Sequence, residues 1–337
     1  MNRKANNRNL RKSRFKVVLF TFAIAALVYI TLGNHHIFQW EYNDKNGFDP
    51  SLKIIPGSYG ERIKPVPSIE TDPSGLISSN RLYSSNAILI RLKDHTILMQ
   101  KNSEEKIYPA SLTKMMTAIV AIENLPDLQE QIKLTRSAFQ GLYEADASMA
   151  GFLPGEQVRA IDLLYGVMLP SGAESCVALA DHIAGTEQNF TGIMNQKAAD
   201  LGMVNTHFEN ATGLHNEDHY TTVKDLAILL SYALQNDTFR ELFTSLRHST
   251  QPTNMHPDGI TFYSTIFEEL SNQNITGGEI LGGKTGYTNE AGLCLASLAE
   301  VGRQEYILVT AGAKGDHESQ QYNFIDALTV YNSLSKE

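Results

Sequence analysis

The sequence predicts a mixed α/β (α+β) domain, in which one sheet receives a helical insertion, behind an N-terminal transmembrane helix. Strand-like runs stand at both ends of the region from residue 82 onward, and helical periodicity dominates between them. A long uncharged apolar run precedes that region. The chain has 337 residues, 42% of them hydrophobic and 19% charged, which is the composition of an ordinary globular protein.

The first 33 residues predict a signal anchor in a membrane. Residues 17–33 carry no charge and are about as long as the shortest bilayer-spanning helices, roughly 17 residues. Residues 1–16 contain seven Lys or Arg and no acidic residue, which predicts a cytoplasmic basic segment with the rest of the chain outside the cytoplasm. The alternative is a cleaved signal peptide, for which Thr31 and Gly33 are poor cleavage-site residues.

The chain after this segment is acidic, with 21 Lys and Arg against 37 Asp and Glu, a net charge of −16. We therefore expect no nucleic-acid partner. Residues 34–81 predict an extracytoplasmic spacer, because five prolines interrupt residues 41–80 and no apolar period is sustained there. Residues 82–337 predict one folded domain, since no internal repeat is present.

The elements of this domain are predicted in order. Two strands joined by a turn at residues 93–95 open it, and a buried helix follows Pro109. Four helical segments fill the middle as far as about Leu246, and three strands and a last helix close the domain. Cys176 and Cys294 lie in apolar runs, which indicates two buried thiols.

Ser111 and Lys114 predict a nucleophile with its base. Ser-x-x-Lys on a helix places both side chains on one face, one turn apart, so the amine can reach the hydroxyl. A serine hydroxyl is a weak nucleophile and needs such a base. The apolar residues around Lys114 predict a buried amine with a lowered pKa, as a base requires.

Two more short motifs follow in a fixed order. Ser171 lies on a loop between helices, 60 residues after Ser111, where Ser171 and Glu174 also fit a helix-capping box. Lys284-Thr285-Gly286 begins 113 residues later and precedes a strand-like run, where lysine and threonine can hold a carboxylate. This order is that of penicillin-binding proteins and class A β-lactamases.

The sequence resembles the serine D-alanyl-D-alanine carboxypeptidases, the low-molecular-mass penicillin-binding proteins, in these motifs and in PASLTKMMTA, LPGEQVRAIDLLYGVMLPSGAES and KTGYTNEAG. The resemblance implies a β-lactamase/transpeptidase-like fold with an antiparallel sheet flanked by helices. It implies a bacterial membrane enzyme that trims peptidoglycan stem peptides ending in D-Ala-D-Ala and is acylated by β-lactams. It implies neither a metal nor an organic cofactor.

The resemblance also implies roles for single residues. Ser111 would attack the penultimate D-alanine carbonyl, Lys114 would take its proton, and Ser171 would relay a proton to the leaving D-alanine. Substrate binding would involve Lys284, Thr285, Gly286 and Tyr287, with the backbone N–H groups of Ser111 and Tyr287 as the oxyanion hole. The second motif of this family is usually Ser-x-Asn; here its third residue is Ala173, whose methyl group cannot hydrogen-bond a substrate amide or orient Lys114.

Three alternatives stay open at this point. Ala173 is compatible with a weakly active penicillin-binding sensor or scaffold. A β-lactamase would need a carboxylate that activates water, for which Glu187 is a candidate. A zinc carboxypeptidase could use His215 and His219, but with Glu217 between them the order is not His-Glu-x-x-His and a loop is expected.

Overall fold

The computed structural model describes residues 78–270 and 273–334. All of them belong to the second of two units, residues 55–337. The predicted basic segment 1–16, the predicted anchor 17–33 and nearly all of the predicted spacer 34–81 lie outside the described residues. Within the described residues, no helix is long and apolar enough to span a bilayer.

A six-stranded antiparallel sheet forms the centre of the domain, in the order β2-β1-β10-β9-β8-β7. Two further antiparallel pairs, β3 with β4 and β5 with β6, lie outside it. The strands are β1 (Asn86–Arg91), β2 (Thr96–Lys101), β3 (Gln131–Lys133), β4 (Gln157–Arg159), β5 (Arg247–Ser249), β6 (Thr261–Tyr263), β7 (Asn274–Ile275), β8 (Gly278–Thr288), β9 (Gly292–Val301) and β10 (Gln304–Ala313). The predicted opening hairpin and the three closing strands are confirmed.

Helices occupy the long connection between β2 and β7 and the C-terminal end. They are α1 (Thr113–Asn124), α2 (Ala160–Met168), α3 (Ala173–Ala184), α4 (Glu187–Asp200), α5 (Val223–Ala233), α6 (Asp237–Thr244), α7 (Thr265–Glu269) and α8 (Tyr322–Leu334). The helical insertion is thus confirmed, and so is the last helix. Helices α6 and α7 were not predicted, because eight and five residues are too few for a clear helical period.

Alternation along the strands gives the sheet two buried faces. Ile88 and Ile90 face the helical insertion, where they join the larger hydrophobic core. Leu89, between them, faces the other way and packs in a second core with Phe324 and Tyr331 of α8. The sheet is therefore the middle of three layers, with the insertion on one face and α8 on the other.

Helix α8 also fixes the start of the domain. The carboxylate of Asp326 accepts hydrogen bonds from the backbone N–H groups of Tyr83 and Ser84, at 2.9 and 2.7 Å. The ring of Tyr83 stacks on that of Tyr322, with centroids 4.2 Å apart. The residues just before β1 are thereby held against the C-terminal helix.

The two cysteines are buried free thiols, as predicted. Cys176 lies in α3 and its thiol donates to the carbonyl of Gly172. Cys294 lies in β9. Burial raises the pKa of both thiols to about 12, so neither is a ready nucleophile.

Candidate active site

Ser111 lies in a single 3-10 turn, Ala110–Leu112, just before α1. The sequence predicts Ser111 and Lys114 on one helix, whereas Ser111 lies in the 3-10 turn that leads into α1 and Lys114 lies in α1 itself. The backbone of Ala110 has a φ of 47°, and the N–H of Leu112 donates a hydrogen bond to the carbonyl of Pro109. The chain therefore enters α1 through a tight turn. This turn places Ser111 at the mouth of a cleft.

The amine of Lys114 lies within reach of the Ser111 hydroxyl. Its Nζ is 3.0 Å from Ser111 Oγ and donates to the carbonyl of Thr212 at 2.6 Å. Lys114 is 3% exposed, and this burial lowers the pKa of its amine. The arrangement provides a base beside a nucleophile, which is the geometry that the Ser-x-x-Lys spacing predicts.

The loop that carries Thr212 is built around Asn210. The side-chain oxygen of Asn210 accepts from the backbone N–H groups of Thr212 and Gly213, at 3.2 and 2.7 Å, and from the Thr212 hydroxyl. Gly213 has a φ of 82°, and a Cβ there would lie 1.9 Å from the carbonyl oxygen of Ala110. The loop therefore packs directly against the turn that carries Ser111.

Two more polar residues hold this loop. Glu187, at the start of α4, accepts from the backbone N–H of Ala211 at 2.8 Å, and burial raises the pKa of its carboxyl group. Thr117 of α1 donates its hydroxyl to the carbonyl of the same Ala211. Glu187 lines neither of the clefts beside Ser111, so it has the position of a loop support and not that of a water-activating base.

Lys284 and Ser171 form the second lysine–hydroxyl pair. Lys284 lies on β8, as predicted, and its Nζ donates to Ser171 Oγ at 2.9 Å and to the Thr285 carbonyl at 3.0 Å. The amine is fully buried, and burial, reinforced by the nearby charge of Lys114, holds its pKa well below the ordinary value. Lys284 lines neither cleft, but both of its partners, Ser171 and Thr285, line the smaller one.

The capping box predicted for Ser171 and Glu174 is wrong. Helix α3 begins at Ala173 with Gly172 as its N-cap, and no side chain caps it. Ser171 stands outside the helix with a φ of 65°, because its hydroxyl is engaged by Lys284. Glu174 instead reaches the segment 150–152, where Oε1 accepts three backbone N–H groups.

Strand β8 runs close beside the turn of Ser111. A Cβ at Gly286 would lie 3.0 Å from the backbone nitrogen of Ser111, so a larger residue there would press against the turn. The Thr285 hydroxyl lies 2.8 Å from that of Thr265. Tyr287 follows at the cleft, with its ring edge against His317. The strand thus brings the predicted substrate-binding residues next to the predicted nucleophile.

Two clefts meet at Ser111. The larger cleft, about 400 Å³, extends past Lys114 and Ala173 to the loop 212–215 and the end of β8. The smaller cleft, about 150 Å³, lies beside Ser171, Thr285 and the acidic end of α7. Four residues line both clefts: Ser111, Ser148, Tyr287 and His317.

The two histidines of the zinc alternative lie in different surroundings, one buried and one on the wall of a cleft. His219 is buried, with Nε2 2.8 Å from the Thr113 hydroxyl and Nδ1 accepting from the backbone N–H of Glu209 at 3.2 Å. Burial lowers its pKa to about 4, so the ring is neutral with both nitrogens engaged. His215 lies on the wall of the larger cleft near Glu290. Residues 78–270 and 273–334 contain no group of three potential metal ligands.

The sequence interpretation missed the supporting residues of this site, namely Asn210, Glu187 as a loop support, Glu174, His219 and Thr117. One local signal was available, because Asn210 precedes a glycine by three residues, and an Asn before such a bend is typical of a side chain that bonds the following backbone. The others make contacts over 10 to 106 residues along the chain, which no local pattern indicates.

We expect Gly213→Ala to lower the free energy of unfolding by about 2 kcal/mol or more, because the new Cβ would overlap the Ala110 carbonyl at a positive φ. Gly192→Ala is the matched control, since Gly192 lies inside α4 with open space around it and alanine there favours the helix. Denaturant unfolding followed by circular dichroism measures both. Equal stability of the two variants would contradict the packing described for the loop.

Comparisons with known proteins identify the family of this chain. A family model for D-alanyl-D-alanine carboxypeptidase, peptidase family S11, matches residues 75–315. The carboxypeptidase DacF of Bacillus subtilis is 35% identical over 250 residues, which are 70% of this chain and 59% of that protein. DacC of Escherichia coli is 34% identical over 242 residues, 68% of this chain and 56% of that protein. The chain thus spans less than two thirds of the length of these relatives.

Solved structures share the fold. The crystal structure of the Streptomyces K15 DD-transpeptidase matches with a TM-score of 0.67 and 27% identity, over 77% of this chain and all of that one. A D-alanyl-D-alanine carboxypeptidase from Mycobacterium tuberculosis matches in fold with a TM-score of 0.67 at 23% identity, over 78% of this chain and 96% of that one. By the extent of the family match and the identity to its relatives, this chain belongs to the D-alanyl-D-alanine carboxypeptidases of peptidase family S11.

Proposed function

We propose that this chain is a serine carboxypeptidase that removes the terminal D-alanine from peptidoglycan stem peptides through an acyl-enzyme on Ser111. One observation carries the proposal: a buried amine of lowered pKa lies 3.0 Å from a serine hydroxyl at the mouth of a cleft. Family membership supplies the substrate class, a peptide ending in D-Ala-D-Ala. The same acylation chemistry makes β-lactams its inhibitors.

Acylation begins with Ser111. Its Oγ attacks the carbonyl carbon of the penultimate D-alanine while its proton passes to Nζ of Lys114. The carbonyl electron pair moves to oxygen, where the backbone N–H groups of Ser111 and Tyr287 stabilise the negative charge. Collapse of this intermediate breaks the C–N bond and leaves an ester on Ser111. The departing amine of D-alanine takes the hydroxyl proton of Ser171, and Lys284, which donates to Ser171, replaces it. Lys114 then releases to solvent the proton that it took from Ser111, and Lys284 takes one up from solvent, so both amines are restored. Water then hydrolyses the ester.

The smaller cleft takes the leaving D-alanine. Its wall includes Thr285, whose hydroxyl suits a carboxylate, and Ser171 stands beside it. Lys284 acts from behind Ser171, because its amine is buried and lines neither cleft. The larger cleft, on the other side of Ser111, receives the rest of the stem peptide. This division follows from the position of Ser111 at the junction of the two clefts.

We expect Ser111→Ala to abolish both D-alanine release from diacetyl-Lys-D-Ala-D-Ala and covalent labelling by benzylpenicillin, a loss of more than about a thousandfold. The full chain, purified in detergent, is the sample. Ser249→Ala is the control, because Ser249 is exposed on β5 and lines neither cleft. Labelling of the unmodified chain without D-alanine release would favour the sensor alternative, and rapid turnover of the drug would favour a β-lactamase.

We expect the rate of benzylpenicillin acylation to rise with pH. Lys114 is a base only when its amine is unprotonated, so the rate should fall about tenfold per pH unit below its lowered pKa. Stopped-flow acylation between about pH 5 and about pH 9 measures this, with circular dichroism to establish that the fold persists. Lys114→Arg should be inactive at every pH, since a guanidinium stays protonated. Acylation by Lys114→Arg at a rate near that of the unmodified chain would exclude Lys114 as the base.

We also propose that residues 17–33 anchor the chain in the bacterial membrane, with the catalytic domain outside the cytoplasm. The uncharged run and the seven basic residues before it support this location. Mass spectrometry of the protein from membrane fractions should find the chain with residues 17–33 intact. A shortened chain in the medium, beginning after residue 33, would instead support a cleaved signal peptide.

A further inference from the structure

The wall of the larger cleft opposite β8 offers few groups that can bind a peptide backbone. Ala173 presents only a methyl group there, and Ala145 and Ala147 are equally apolar. Ser148 is different, because it lines both clefts, as Ser111 does. Its side chain is exposed, and its hydroxyl makes no hydrogen bond within residues 78–270 and 273–334. A free hydroxyl therefore stands at the junction of the clefts.

The backbone holds Ser148 in this place. The N–H of Ala173, the first residue of α3, donates to the Ser148 carbonyl at 2.8 Å. Just beyond, the buried carboxylate of Glu174 binds the three N–H groups of residues 150–152 through Oε1, at 2.7, 2.9 and 3.3 Å. The start of α3 thus fixes the position of Ser148, and nothing in that network uses its hydroxyl.

In the part of the chain that the structure describes, no strand pairs with the edge of β8 away from β9 beyond Glu279. Strand β8 pairs with β9 from Gly278 to Thr288, whereas β7 pairs with it only at Gly278 and Glu279. An extended peptide can add to such an edge by backbone hydrogen bonds. If the penultimate D-alanine directs its carbonyl to the N–H of Tyr287, the residue before it directs its carbonyl to the opposite side, because successive residues of a strand alternate. Ser148 lines both clefts together with Tyr287 and is bonded through its carbonyl to Ala173, so its hydroxyl is available to that second carbonyl.

On the basis of the proposed function, we propose that Ser148 is a substrate-binding residue whose hydroxyl donates a hydrogen bond to the carbonyl of the residue before the penultimate D-alanine. A polar side chain at position 173 would be the other source of this bond, and Ala173 cannot make it. Ser148 positions the acyl part of the substrate and takes no part in proton transfer. Without this hydrogen bond, that carbonyl would lose its contact with water on binding and gain no partner in exchange.

A pair of β-lactams tests this assignment. Benzylpenicillin carries an acylamino carbonyl at the matching place, whereas 6-aminopenicillanic acid has a free amine there and no carbonyl. We expect Ser148→Ala to slow acylation by benzylpenicillin about three- to tenfold and to leave acylation by 6-aminopenicillanic acid unchanged. Ser148→Thr, which keeps the hydroxyl, should retain the unmodified ratio of the two rate constants, and Ser249→Ala is the control for an unrelated serine.

Each other outcome has a definite meaning. Equal slowing with both compounds, or no slowing with either, would overturn the role of Ser148. A benzylpenicillin rate that falls as far in Ser148→Thr as in Ser148→Ala would also overturn it, provided that circular dichroism finds both variants folded. Failure of the unmodified chain to react with either compound would refute the proposed function itself and not the assignment of Ser148 alone.

Discussion

The burial of two lysine amines is the constraint on which the rest of the site depends. Lys114 and Lys284 are 3% and 0% exposed, and an amine removed from water is tolerable only when it is hydrogen-bonded and readily loses its charge. The carbonyl of Thr212 and the hydroxyl of Ser171 provide those bonds. The loops that carry these acceptors must therefore keep their shapes, and each unusual backbone angle nearby, at Ala110, Ser171 and Gly213, serves that need.

Polar side chains hold these loops in place by hydrogen bonds to backbone groups and not to each other. Asn210 shapes the loop under Lys114, Glu187 holds its start, and Glu174 holds the segment next to Ser148. Burial raises the pKa of Glu187 and of Glu174, and bonds from backbone N–H groups act in the opposite direction. The backbone around Ser111 is consequently held by carboxylates and an amide that line neither cleft.

The sequence could predict the elements that show a periodic pattern of apolar residues, and the contacts between residues that lie near each other along the chain. The opening hairpin, α1 to α5, the closing strands and the proximity of Lys114 to Ser111 follow from periodicity and spacing. It could not predict the bond between Lys284 and Ser171, because the two residues are 113 positions apart. It misassigned Ser171 as a helix cap for the same reason. The local sequence fits a capping box, but the Ser171 hydroxyl is hydrogen-bonded to the distant Lys284. Ser148 has no local signature at all, since its place depends on the start of α3.

The attachment of Tyr83 and Ser84 to Asp326 has a mechanical consequence. Tension along the chain before residue 82 meets the buried side chain of Leu82 and the bond of its carbonyl to Lys101, and the bonds of Tyr83 and Ser84 to a carboxylate pass load into α8. Helix α8 packs on the face of the sheet opposite the helical insertion that carries Lys114. Such a load is thus carried by α8, whose first turn also lines the smaller cleft through Asn323 and Phe324, so the site and the start of the domain share one helix.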